Sequence, residues 1–206
     1  MQIIDTIFMV AILIFSVVIH EVSHGYVAYK LGDPTAFYAR RLTLNPLRHL
    51  DPFGSVFLPL ILALSGTGVV FGWAKPVPYN PNNVKGKYGE IAVALAGIVS
   101  NITIAIIFSL ILRVCVYFGV SSNGLMFILP TIIIVNILLA VFNLMPIPPL
   151  DGSKVLFSLL GYRFWRARDI LERYSIVFIV LFVVFVWQYI APVVYDLFIF
   201  MTGISL

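Results

Sequence analysis

The chain has few charges and almost no cysteine. Of its 206 residues only 11% are Asp, Glu, Lys or Arg, and Cys115 is the single cysteine. A lone cysteine excludes an internal disulfide framework, so the fold must be held by packing. So little charge, alongside 61% hydrophobic residues and a mean hydropathy of +1.05, excludes an ordinary soluble domain, in which about a quarter of residues are charged. Internal repeats and low-complexity runs are absent, as are a phosphate-binding glycine loop and a serine-nucleophile motif. What remains is an integral membrane protein. Its length leaves room for roughly four to six spans of about 20 residues and little for an added soluble module. One membrane-embedded domain over residues 1–206 is expected.

The position of the charges says more than the net +4. All Lys and Arg residues except Arg113 fall in two blocks, Lys30 to Lys87 and Lys154 to Arg173. Positive residues gather on the cytoplasmic side of a cell membrane, so both blocks are expected there, against anionic lipid. No basic stripe lies on a soluble fold, which argues against a nucleic-acid partner.

The hydropathy pattern predicts an all-α polytopic protein with about four full transmembrane helices: Ile3 to Ala28, Glu90 to Phe118, Leu125 to Leu144 and Ser175 to Met201. The first lacks a basic start and a cleavage site, so it reads as a retained span. Phe53 to Val70 is apolar but interrupted by Gly and Pro, and predicts a re-entrant or interfacial segment. Phe71 to Gly89, rich in Pro, Gly and Asn, predicts a short β-hairpin-like loop. Small residues in ALAGIVSN, with Gly97 and Asn101 four apart, predict close helix approach. Ser153 to Leu160 reads as a short helix, and GYRFWRARDILERY as a basic, aromatic interfacial segment.

The chemistry concentrates in the first span. His20-Glu21-Val22-Ser23-His24 places two imidazoles four residues apart, offset by about 40° and one helical turn. Both can grip one ion, and Glu21 beside them can take a proton from water that zinc acidifies. An ionisable group at membrane depth costs roughly 2.5–3.5 kcal/mol, so three in five residues need compensation. Zinc would supply it. The competing readings are a proton relay in a membrane transporter and a catalytically silent scaffold with a buried polar cluster. A transporter should show repeated halves with matching broken helices, and none is seen.

Two imidazoles leave a hydrolytic zinc site short of a third protein ligand. Asp151 stands apart from the other carboxylates because it follows the proline-broken stretch Asn143-Leu-Met-Pro146-Ile-Pro148-Pro149-Leu150. Unwound backbone at membrane depth is tolerated chiefly around a protein-lined cavity. His49 and Asp51 are the alternative, either as ligands or as an interfacial turn with His49 bonded locally.

HEVSH in an early span and NLMPIPPLDG in a later one resemble the motifs of the site-2 protease family of intramembrane zinc metalloproteases. The resemblance extends to LGDPTA, RLTLNPLRHLDPFG, FGWAKPVPYNP and ALAGIVSN, and so covers most of the chain. It is that of a compact bacterial member. The resemblance implies one zinc per chain held by His20, His24 and Asp151, Glu21 as catalytic base, and Asn143 near the substrate. The substrate would be a transmembrane protein or peptide in the bilayer, with the active site toward the cytoplasmic side and the Phe71 loop helping to hold it. The family's common proline after the glycine is replaced here by Ile98, so a straight helix is expected there. Asn101 and Asn136 read as interhelical hydrogen bonders.

Overall fold

The computed structural model describes residues 3–51, 75–120, 122–161 and 164–204. Helix α1 (Ile3–Lys30) is followed by the short α2 (Thr35–Tyr38) and a 3-10 turn at Pro46–Arg48. After a 3-10 turn at Pro81–Asn83 come α3 (Gly89–Tyr117), α4 (Asn123–Leu144), α5 (Asp151–Leu160) and α6 (Trp165–Arg173). The chain then continues through α7 (Ser175–Leu181), a π turn (Phe182–Val186) and α8 (Trp187–Thr202). Four of these stretches, α1, α3, α4 and the run Ser175–Thr202, are long and apolar enough to cross a membrane. Large apolar side chains point outward all along them, Phe200 at 80% and Ile176 at 77% exposure among them. In water such a surface would drive aggregation; against lipid tails it is the expected exterior.

The four spans and the short helix α5 agree with the sequence reading; α6 forms a helix within the stretch read only as a basic, aromatic interfacial segment. The expected re-entrant segment, Phe53 to Val70, lies outside the described residues, as does the start of the Phe71 loop. Of that loop, Lys75–Asn80 has no regular secondary structure, and no strand occurs among the described residues. The two short turns between Lys30 and Asp51 were not expected.

Helix α3 is the centre of the bundle, packing on α1, α4, α5 and α8. It runs unbroken through Ile98, as the missing proline predicts. Its direction follows from its contacts. His20 and His24 of α1 meet Asn101 and Val93 of α3, so numbers rise along α1 as they fall along α3. Ser16 meets Asn136, and His20 meets Asp151, so α1 and α4 run parallel. The ends of α1 and α4 and the start of α3 therefore share one end of the bundle. The bond from Lys85 N to the Leu31 carbonyl, 2.9 Å, places the loop before α3 there too.

The other end is apolar. Ala105 and Leu112 of α3, Leu129, Ile133 and Ile137 of α4, and Val194 and Phe198 of α8 form one buried cluster. Arg113, the cation outside both basic blocks, closes this end: its Nε and Nη2 donate to the carbonyls of Met201 (2.7 Å) and Phe200 (2.8 Å). Those are among the last carbonyls of α8, which lack partners within the helix. Gly203, at φ 76°, ends the helix in the left-handed region open to glycine.

Helix α4 stops because Met145 turns to extended backbone and prolines follow at 146, 148 and 149. The chain folds back at once into α5. Gly152 makes this return possible, since a Cβ there would collide with the carbonyl oxygen of Leu144. Asp151, the first residue of α5, is thereby turned toward α1.

A second carboxylate organises the loops. Asp33, fully buried, accepts from Thr35 N (3.2 Å) and Thr35 Oγ1 (2.5 Å), and from Asn80 N (2.7 Å) and Asn83 Nδ2 (3.0 Å). Burial pushes its carboxyl up, but these bonds outweigh that and hold it below its ordinary value. A depressed folded-state value means the clasp stabilises fully above the unfolded value, near pH 3.9, and is lost as pH falls through the lower folded one. Asp33→Ala is expected to cost about 1–3 kcal/mol by stranding the Asn80 amide. Limited proteolysis in detergent should then cut within 75–83 faster than in the parent protein; an unchanged rate would show that the clasp does not hold that segment.

Candidate metal centre

Two turns of α1 carry the site. His20 and His24 lie on one face, their rings 4.7 Å apart and nearly perpendicular at 82°. Each Nε2 is 3.0 Å from Oδ2 of Asp151. The three donor atoms lie within 4.8 Å of one another. All three residues are buried, at 5%, 6% and 4% exposure.

The far side of each ring is occupied. His20 Nδ1 donates to Oδ1 of Asn101 (2.6 Å), and His24 Nδ1 donates to the carbonyl of Val93 (2.7 Å). Because both acceptors are carbonyl oxygens, each ring's hydrogen is committed at Nδ1. Each Nε2 then either bears a second proton or presents a lone pair. In the neutral rings, two nitrogen lone pairs and a carboxylate oxygen converge on one buried point. Such a set needs a cation, and its N/N/O chemistry fits zinc, whose histidine ligands characteristically donate their other N–H to a carbonyl or carboxylate.

Helix α3 is shaped for these rings. A Cβ on Gly97 would stand 2.5 Å from His20 Cε1 and from His24 Nε2, and 2.6 Å from His20 Nε2. The small residue thus lets α3 lie directly against the imidazoles. Asn101 is held in turn: its Nδ2 donates to Oδ1 of Asn136 (2.7 Å), whose Nδ2 donates to Ser16 Oγ (3.0 Å). On the other flank Lys154 Nζ lies 2.8 Å from Oδ1 of Asp151.

Glu21 does not join the triad. Its Oε2 accepts from Val77 N at 2.9 Å, which brings the Lys75–Asn80 segment beside the site. Val77 sits between Pro76 and Pro78, so its amide is the donor available in that stretch. Arg41 fixes the same segment, donating from Nη2 to the carbonyls of Lys75 (2.6 Å) and Pro76 (3.4 Å). Asn143 lies in the last turn of α4, and its Nδ2 donates to Leu139 of its own helix (2.9 Å). His49 is buried elsewhere: Nε2 donates to the Thr43 carbonyl (2.8 Å), and its own carbonyl accepts from Lys75 N (2.9 Å). That is the local bonding expected of an interfacial turn. Neither His49 nor Asp51 contributes to the convergent group found among the described residues. The contacts of Asn101, Val93 and Lys154 with the triad were not read from the sequence.

The family model described as Peptidase family M50 matches residues 8–186. The chain belongs to Peptidase family M50. Among curated proteins, this M50 chain is 39% identical to "Putative zinc metalloprotease YwhC" of Bacillus subtilis over 85% of its own length and 80% of that protein's. It is 28% identical to "Putative zinc metalloprotease Rip2" of Mycolicibacterium smegmatis, covering 83% of this chain and 64% of the relative. With "Zinc metalloprotease MJ0392" of Methanocaldococcus jannaschii it shares 29% identity over 74% of its length, but spans about a third (34%) of that longer protein. No solved structure matches.

The M50 chain's tolerance at Gly97 is a direct test of this geometry. Gly97→Ala should push α3 off the imidazoles and weaken metal binding by about tenfold or more, with helix content unchanged. Competition against a chromophoric chelator, with circular dichroism on the same samples, measures both; full affinity in the variant would show that α3 does not set the ring positions.

Proposed function

We propose that this M50 chain is a zinc-dependent intramembrane endopeptidase, hydrolysing peptide bonds in or near transmembrane segments of membrane proteins. The observation that carries the reading is the convergence of His20 Nε2, His24 Nε2 and Asp151 Oδ2, with both Nδ1 hydrogens already committed. In this reading those three residues hold one zinc ion per chain. Zinc, when bound, supplies Lewis acidity, lowering the pKa of water and polarising a carbonyl.

The chain's own residues do the rest. Glu21, one residue from a ligand but outside the triad, takes the proton from the attacking water at its carboxylate and delivers it to the departing amine. The Val77 amide, 2.9 Å from Oε2, holds that carboxylate in place. Asn143, at the end of α4, offers an amide to the substrate backbone. A helical substrate has its carbonyls tied in hydrogen bonds, so it must unwind before cleavage. The Lys75–Tyr79 stretch, which Val77 N brings beside Glu21, is the segment proposed to help hold the unwound backbone. One single-domain unit over 1–206 suffices for this chemistry.

Three variants purified in detergent test the roles. Glu21→Gln should retain about one zinc and lose cleavage by at least about a thousandfold, since an amide cannot act as base. Asp151→Ala should lose zinc and activity together. His49→Ala should keep both. Zinc retained by the Asp151 variant and lost from the His49 variant would reverse the ligand assignment.

The site's end of the bundle also carries the basic blocks, Lys30, Lys85, Lys87 and Lys154 among them. We place this end in the cytoplasm on that ground. In a Cys115→Ala background, single substitutions Ser122→Cys and Ser205→Cys should react with an impermeant thiol reagent on intact cells, whereas Asn82→Cys and Arg168→Cys should not. External labelling at Asn82 would invert the orientation.

A further inference from the structure

We propose that Lys154 is a positioning residue that keeps Asp151 a one-oxygen ligand and so leaves one coordination position for water. The inference rests on the zinc site proposed above and deepens it. The two oxygens of Asp151 have different neighbours. Oδ2 lies 3.0 Å from Nε2 of both His20 and His24, whereas Oδ1 lies 2.8 Å from Lys154 Nζ.

This division follows from the local fold. Asp151 and Lys154 are three residues apart on α5, so their side chains meet across one turn. The Asp151 side chain is 6% exposed and that of Lys154 is 40% exposed, so the ammonium reaches inward from the rim of the site. The turn between them cannot swing freely: Gly152 lies against the Leu144 carbonyl, and Ser153 Oγ donates to the Leu150 carbonyl at 2.7 Å. The carboxylate is thus held with one oxygen toward the imidazoles and the other toward a cation of the protein's own.

The consequence concerns coordination number. A carboxylate facing a metal ion can bind through one oxygen or through both. Two imidazoles and a two-oxygen carboxylate would fill the four positions zinc prefers, whereas a hydrolytic site keeps one of them open. A charge-assisted hydrogen bond from an ammonium occupies Oδ1 and draws its electron density away from the metal side. No other contact to Oδ1 occurs among the described hydrogen bonds and ion pairs. Lys154 acts through Asp151, not on the substrate. It completes a pattern in which each of the three convergent residues is held at its far atom: His20 by Asn101, His24 by the Val93 carbonyl, Asp151 by Lys154.

The test uses the full chain in detergent with Lys154→Met, Lys154→Gln and Lys154→Arg, each assayed for zinc content, then loaded with Co(II) for its visible absorption. In the Met and Gln variants metal content should stay near one per chain, while the Co(II) bands shift as the second carboxylate oxygen takes the position held by water in the parent. Their kcat on a transmembrane peptide should fall about tenfold or more at unchanged KM. The Arg variant, which can still donate to Oδ1, should restore the parent spectrum and most of the rate. A parent-like spectrum in metal-replete Met and Gln variants would overturn the proposal. So would loss of metal from both with helix content intact, which would make Lys154 a determinant of affinity instead. A parent protein that binds no metal at all would fail earlier, at the site itself.

Discussion

Two imidazole nitrogens and a carboxylate oxygen, gathered at one buried point, repel one another unless positive charge lies between them. Inside a membrane-embedded bundle that repulsion is poorly screened, and water cannot relieve it. Most of this end of the bundle serves the constraint. Val93 and Asn101 fix the rings from α3, the absent side chain of Gly97 lets that helix come near enough to do so, and Asn136 and Ser16 hold Asn101. The same constraint sets topology, because α1 and α4 must end together for Asp151 to reach His20 and His24.

The opposite end of the bundle answers to a different requirement. Lipid tails are as apolar as leucine, so burial from water does not drive helices together there; close packing and the few polar bonds do. The Leu112, Ile133 and Phe198 cluster provides the first, and Arg113 on the end of α8 the second. Polar function and apolar support are thus separated along the bundle axis, with α3 common to both.

Much of this was legible in the sequence. Hydropathy marks the four spans, because a span has no other way to satisfy its surroundings. The four-residue spacing of His20 and His24 is itself a statement of geometry, and Asp151 is distinguished by the prolines that break α4 just before it. The contacts behind His20, His24 and Asp151 were not legible. Asn101 lies 81 positions from His20, and an asparagine in a span is equally suited to bonding any neighbouring helix. Lys154 looks like half of an ordinary exposed ion pair three residues along a helix, since nothing in its spacing shows that Asp151 is buried. The helix of Thr35–Tyr38 is too short to carry a periodic signal.

His20 and Asp151, which meet at 3.0 Å, stand 131 positions apart in the chain. A polypeptide made from its N-terminus presents His20 and Glu21 to the membrane long before α4 and the turn beyond it exist. During that interval the imidazoles lack their carboxylate partner, and the His20 ring lacks the Asn101 and Asn136 chain that orients it. The convergent group is therefore a late product of synthesis. A half-made molecule carries the recognisable motif yet lacks the convergence of groups that the complete fold creates.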